Sequence, residues 1–158
     1  MAKCIDIKSM EAFIGTLYPP PYDEPCRARE RTRLGDAAGL TQFGVNLLRL
    51  PPGAWSSQRH WHTTEDEFIY VLSGEVTLVT DAGEEVLRAG DCAGFKANDP
   101  DGHCLQNRSG HDATVLEVGT RDPANNVAYY PDIDMIAKSG GYAHRDGTAY
   151  PKQPRRGP

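Results

Sequence analysis

The stretch Gly53-Ala-Trp-Ser-Ser-Gln-Arg-His60-Trp-His62-Thr-Thr-Glu-Asp-Glu67-Phe-Ile-Tyr-Val-Leu-Ser-Gly74 decides how this chain is read. His60 and His62 are two apart, so on a strand both imidazoles leave the same face, because successive side chains alternate sides. Glu67 comes soon enough afterwards to return a carboxylate to that face from a neighbouring strand. Gly74 then ends the short apolar run Phe68 to Leu72. Two imidazoles and a carboxylate on one rigid wall suit a divalent transition ion. His103, in Asp99-Pro100-Asp101-Gly102-His103, is a fourth candidate ligand.

Around this stretch lies a chain of 158 residues, the size of one domain. Hydrophobic residues make up 39% and charged residues 25%, and the 16 glycines and 12 prolines predict short strands joined by many turns. A net charge of −5 leaves no basic footprint for a nucleic-acid backbone, which removes nucleic acid as a partner. There are no eighteen consecutive apolar residues, and Met-Ala-Lys-Cys-Ile-Asp does not begin a signal peptide, so no membrane contact and a cytoplasmic setting are expected. Cys4, Cys26, Cys92 and Cys104 show no Cys-x-x-Cys spacing and are expected to be reduced thiols.

Taken in order, residues 1–30 combine an amphipathic piece, Ile5 to Leu17, with the turn-rich segment from Tyr18 to Pro25, and read as an arm laid over the domain. Arg27 to Arg33 alternates charged and small residues and is expected to be a solvated edge strand, followed by a loop at Gly35 to Gly39. Phe43 to Leu50 is a strand closed by Pro51-Pro52-Gly53. Glu75 to Thr80 and Glu84 to Leu87 make a hairpin, Cys92 to Phe95 and His103 to Asn107 are short strands, and Ala113 to Gly119 is a half-buried one. Such even, short spacing predicts an all-β sandwich or barrel. Residues 31–120 are then the barrel and 121–158 a C-terminal extension ending in an extended tail.

With these motifs in view, the chain resembles a small single-domain cupin. Gly53, His60, His62, Glu67 and Gly74 are similar to the first cupin motif, with six residues instead of five between Gly53 and His60. Gly90-Asp91, Pro100, Gly102, His103 and Asn107 are similar to the second. The resemblance implies an all-β fold, a cupin double-stranded β-barrel of jelly-roll type, with N- and C-terminal extensions. It implies that His60, His62, Glu67 and His103 hold one divalent metal inside the barrel, and that the chain forms a homodimer. The long arms and the Arg-His-Trp-His sequence look like those of sugar-phosphate-isomerase-like cupins.

Three imidazoles and one carboxylate leave positions on the ion open to substrate oxygens or water, and they accept zinc, nickel, manganese, cobalt or iron. Strand parity puts Gln58 on the face of His60 and His62 as a substrate contact, and turns Arg59 and Trp61 away. The same parity points Ile69 and Val71 inward with Glu67, and Phe68, Tyr70 and Leu72 outward. Glu65 or Asp66 competes with Glu67 as ligand only if a bulge shifts the register. Glu117 reads as a solvated edge residue or as a partner of the site. Glu67 and Gln58 are thus the candidate catalytic residues. The leading expectation is an enzyme acting on a small polyhydroxy or keto compound, isomerising a sugar or sugar phosphate, with Arg49, Arg88 and Lys96 as candidate phosphate contacts. The alternatives are an iron-dependent dioxygenase and a non-enzymatic carbohydrate-binding or sensor module.

Overall fold

The structure, a computed structural model, describes residues 4–158, so the first three residues of the expected arm lie outside it. Its strands in chain order are β1 (Phe13–Ile14), β2 (Glu30–Arg33), β3 (Phe43–Leu50), β4 (Trp61–His62), β5 (Glu67–Ser73) and β6 (Glu75–Thr80). They continue with β7 (Gly83–Arg88), β8 (Cys92–Phe95), β9 (Cys104–Gln106), β10 (Ala113–Thr120), β11 (Ala128–Tyr130), β12 (Met135–Lys138) and β13 (Gly141–Ala143). One helical turn, α1 (Leu34–Ala38), stands where a loop was expected and ends on Gly39 in the left-handed conformation. The amphipathic piece near the N-terminus forms only a short 3₁₀ turn, Ile7–Ser9, and β1.

A six-stranded sheet, in the order β1-β2-β3-β10-β5-β8, forms one layer. The facing layer contains β7-β6-β9 and β13-β12-β11-β4. The segment 53–62 joins these two pieces. It runs antiparallel to 103–107, with paired hydrogen bonds between His60 and His103 of 3.1 and 2.9 Å, and passes into β4. The result is a jelly-roll sandwich, as the strand rhythm predicts. The segment read as an extended tail differs from that reading: β13 pairs with β12, and β11 pairs with β4, so residues past 120 extend the sheet that carries His62. Among the described residues, no helix is long and apolar enough to cross a membrane.

Inward-facing rows explain where the core stops and the site begins. On β5 Ile69 and Val71 are buried, as parity predicts, and Phe68, Tyr70 and Leu72 face out. On β3 the inward row holds Leu48 and Leu50, and on β10 Ala113 and Val115, all four fully buried in one apolar cluster. Toward the other end the same rows turn polar: Glu67 on β5, Asn46 on β3 and Glu117 on β10 all line one cavity. Apolar side chains therefore seal one end of the sandwich by hydrophobic burial, and the polar end stays open.

Candidate metal centre

Four side chains from three parts of the chain meet at the polar end. His60 and His62 come from the segment entering β4, His103 from the residue before β9, and Glu67 from the first position of β5 on the opposite sheet. The ligand atoms of His60, His62 and Glu67 all lie within 4.8 Å of one another. Glu67 Oε2 is 3.8 Å from His60 Nε2, 3.5 Å from His62 Nε2 and 2.9 Å from His103 Nε2. Three imidazole nitrogens thus converge on one carboxylate oxygen, and His60, His62 and Glu67 stand close enough together to share one ion.

Surrounding groups fix the rings. The backbone carbonyl of Gln58 lies 3.0 Å from His60 Nδ1 and can only accept, so Nδ1 carries the proton and Nε2 keeps its lone pair for a metal. Asn126 Nδ2 stands 2.8 Å from His62 Nδ1 and 3.0 Å from Glu65 Oε2. Phe95 stacks on His103 at a centroid distance of 3.5 Å, and Tyr130 stacks on His60 at 5.5 Å. His103 Nδ1 is buried without a hydrogen-bond partner. The donor set of mixed nitrogen and oxygen fits one divalent ion, with His60 oriented from behind and His60, Glu67 and His103 bordering a cavity of about 330 Å³. A smaller cavity of about 80 Å³ adjoins it, lined by His62, Glu65, Glu67 and Lys96 among others.

Electrostatics match this geometry. Burial, reinforced by the neighbouring His103 and His62, pushes His60 down to about 3, against which Glu67 acts only in part. Burial alone pushes the Glu67 carboxyl up, but the His103 hydrogen bond and the flanking rings outweigh it and hold the group well below the usual range. Both folded-state values lie beneath their ordinary values of 6.5 and 4.5. The unfolded chain therefore binds more protons, and stability rises with pH. Without metal, the urea midpoint is expected to hold above pH 6.5 and to fall steadily as pH drops toward 3. A midpoint flat between pH 7 and 4 contradicts this.

The structure relocates several residues named from sequence. Gln58 lies outside any strand, so the alternation argument does not reach it. Its side-chain amide donates to the Tyr22 carbonyl at 2.8 Å and it lines neither cavity, and its contribution to the site is the backbone carbonyl behind His60. Glu65 stands behind His62 and lines both cavities, where it accepts from the Asp122 N–H at 2.7 Å and the Asn126 amide at 3.0 Å, and Asp66 is engaged elsewhere, accepting from the Ala97 N–H at 2.7 Å. Arg59 faces away, paired with Asp132 and Asp81. Cys104, beside His103, is buried and lines neither cavity. Arg49 is paired with Glu30 and Asp112, and Arg88 with Glu75, whereas Lys96 does reach the smaller cavity.

Arg29 and Arg31 overturn the expectation of a solvated basic face, since both line the larger cavity. Glu117 is also on that wall and takes a two-pronged salt bridge from Arg31, at 2.7 and 2.9 Å. The signal available in sequence was the period-two repeat of Arg29 and Arg31, which puts both on one strand face. Asn126, Tyr130 and Phe95 had no comparable signal.

The cupin domain family matches residues 46–119, the segment from β3 to β10 that builds this centre. Among solved structures, a sugar phosphate isomerase of the cupin superfamily from Silicibacter pomeroyi is 46% identical with a TM-score of 0.87, and the match covers 94% of this chain and 97% of that one. The chain belongs to the cupin superfamily. A candidate sugar phosphate isomerase from Acidithiobacillus ferrooxidans is 26% identical at a TM-score of 0.76, covering 94% of each chain. The polyketide cyclase RemF from Streptomyces resistomycificus, 20% identical at 0.65 and covering 77% of this cupin and 81% of that chain, shares the fold. No curated protein matches this cupin.

Proposed function

We propose that this cupin is a metal-dependent isomerase of a sugar or sugar phosphate. The observation that carries the reading is the placement of His60, Glu67 and His103 on the wall of a cavity of about 330 Å³, large enough for a small polyhydroxy compound, with His62 joining them from the adjoining smaller cavity. The 46% identity to a protein described as a sugar phosphate isomerase supports it. These four residues hold the ion, which when bound supplies a Lewis acid for adjacent substrate oxygens. Glu117, facing the same cavity from β10, is the carboxylate placed to take and return a proton between neighbouring carbons. Gln58 acts as a positioning residue through the carbonyl that sets the His60 tautomer.

Loading the protein with zinc, nickel, manganese, cobalt or iron in turn and assaying aldose and ketose panels, phosphorylated and free, tests the reading. Turnover that needs metal and falls in Glu117→Gln at unchanged metal content supports it. No turnover with any member sinks it. Oxygen consumption by the iron form with a small substrate points instead to a dioxygenase, and saturable sugar binding without product to a non-enzymatic module.

The chain pairs with a second copy through the outer face of the six-stranded sheet. Phe68, Tyr70 and Leu72 are 43%, 39% and 46% exposed there, beside Leu116 of β10. Light scattering is expected to show a dimer that Tyr70→Glu converts to monomer; a native monomer at micromolar concentration contradicts it. Cytoplasmic location is in keeping with four free cysteines among the described residues.

A further inference from the structure

Two arginines on the cavity wall differ in how their charge is met. Arg29 precedes β2 and Arg31 lies within it, two residues on, so both side chains face inward. Arg31 is answered by Glu117. Arg29, only 8% exposed, is not: its Nε donates to the Gly15 carbonyl at 3.1 Å, its Nη1 to the Ser56 carbonyl and its Nη2 to Thr16 Oγ1 at 3.3 Å. All three acceptors are neutral, and no carboxylate among the described residues forms an ion pair with it. A guanidinium has five N–H donors, so two remain. A buried cation without a counter-charge is costly, and this one borders the same cavity as His60 and Glu67.

We infer that Arg29 seats an oxyanion of the substrate, a phosphate ester or a carboxylate, while the rest of the molecule reaches the His60 and Glu67 end. The inference rests on the cavity being the substrate site. Ser56 and Ser57 link the two ends. Arg29 holds the Ser56 carbonyl, and Ser57 Oγ lies 3.3 Å from His60 Nδ1. The guanidinium fork matches paired anionic oxygens, and the ring of Tyr18, 5.6 Å from the Arg29 guanidinium carbon, walls its flank.

Calorimetric titration of inorganic phosphate, and separately of acetate, into chelator-treated full-length protein tests this without the metal as a receptor. Saturable binding that weakens with salt is expected, at least tenfold weaker in Arg29→Met and within a few-fold of native in Arg29→Lys. Tighter phosphate assigns an ester, tighter acetate a carboxylate. Binding of neither anion, or equal binding in Arg29→Met, overturns the inference. Arg29 also ties the N-terminal arm to Ser56, so Glu117→Gln provides a second measurement if Arg29→Met does not fold. Freeing Arg31 beside Arg29 is expected to raise phosphate affinity several-fold, and unchanged affinity overturns the inference. Intact anion binding with no isomerase turnover defeats only the proposed reaction.

Discussion

Glu67→Gln is expected to lower metal affinity by at least ~100-fold, since even groups behind a ligand contribute about 10–100-fold and Glu67 is proposed as a ligand itself. It is the sole anionic donor of the set, and the three imidazole Nε2 atoms converge on its Oε2 within 2.9 to 3.8 Å. Glutamine keeps the shape and still accepts from His103, so the fold survives and the loss is one of charge and donor strength. Metal content after dialysis, read by atomic emission, checks it. Glu65→Gln is the control: that carboxylate is held by the Asp122 N–H and the Asn126 amide, so its loss acts only from behind His62 and is expected to cost far less. Equal metal retention by native protein and Glu67→Gln breaks the assignment. A greater loss in Glu65→Gln moves the ligand to the alternative that the sequence left open.

The contrast between Glu67 and Gln58 shows where sequence reasoning holds. Period-two alternation held along β5, so Glu67, Ile69 and Val71 face inward together. It failed at Gln58 because residues 56–59 bend between the bridges at Trp55 and His60, and a bent segment has no fixed parity. The cluster of His60, His62, Glu67 and His103 was legible because histidine and glutamate at those spacings have one economical use. The groups behind them were not, because Asn126, Tyr130 and Phe95 reach the centre from elements remote in sequence, and their residue types fit a loop or a core equally well. Arg29 and Arg31 lay between these cases. Their spacing signalled a shared face, but a row of charged residues is usually solvated. Only the sheet order, which puts β2 beside β3 and Arg31 opposite Leu48, turns that face inward.

Gly74→Val is expected to cost at least ~3 kcal/mol, lowering the melting temperature by roughly 6–12 °C in a chain of this size. Gly74 sits at φ +73°, where a β-branched side chain is strongly disfavoured. A Cβ there meets the Asp112 carbonyl oxygen at 2.5 Å and Ala113 Cα at 2.8 Å, both backbone atoms that cannot swing aside. Gly53, at the other end of the same motif, separates the two contributions. Its φ is +83° but nothing lies within 4 Å of the added carbon, so Gly53→Ala carries only the conformational cost, about 1–2 kcal/mol. The difference between Gly74→Ala and Gly53→Ala in thermal unfolding therefore reads the steric part alone, and equal losses remove it. That part matters to the metal centre. The Gly74 contact packs the end of β5 against the start of β10, beside the register shift at Thr114 and Val115, and seven residues before Gly74, in the same pairing, Glu67 stands opposite Gly119. The glycine that closes the motif thus holds the register that aims its carboxylate.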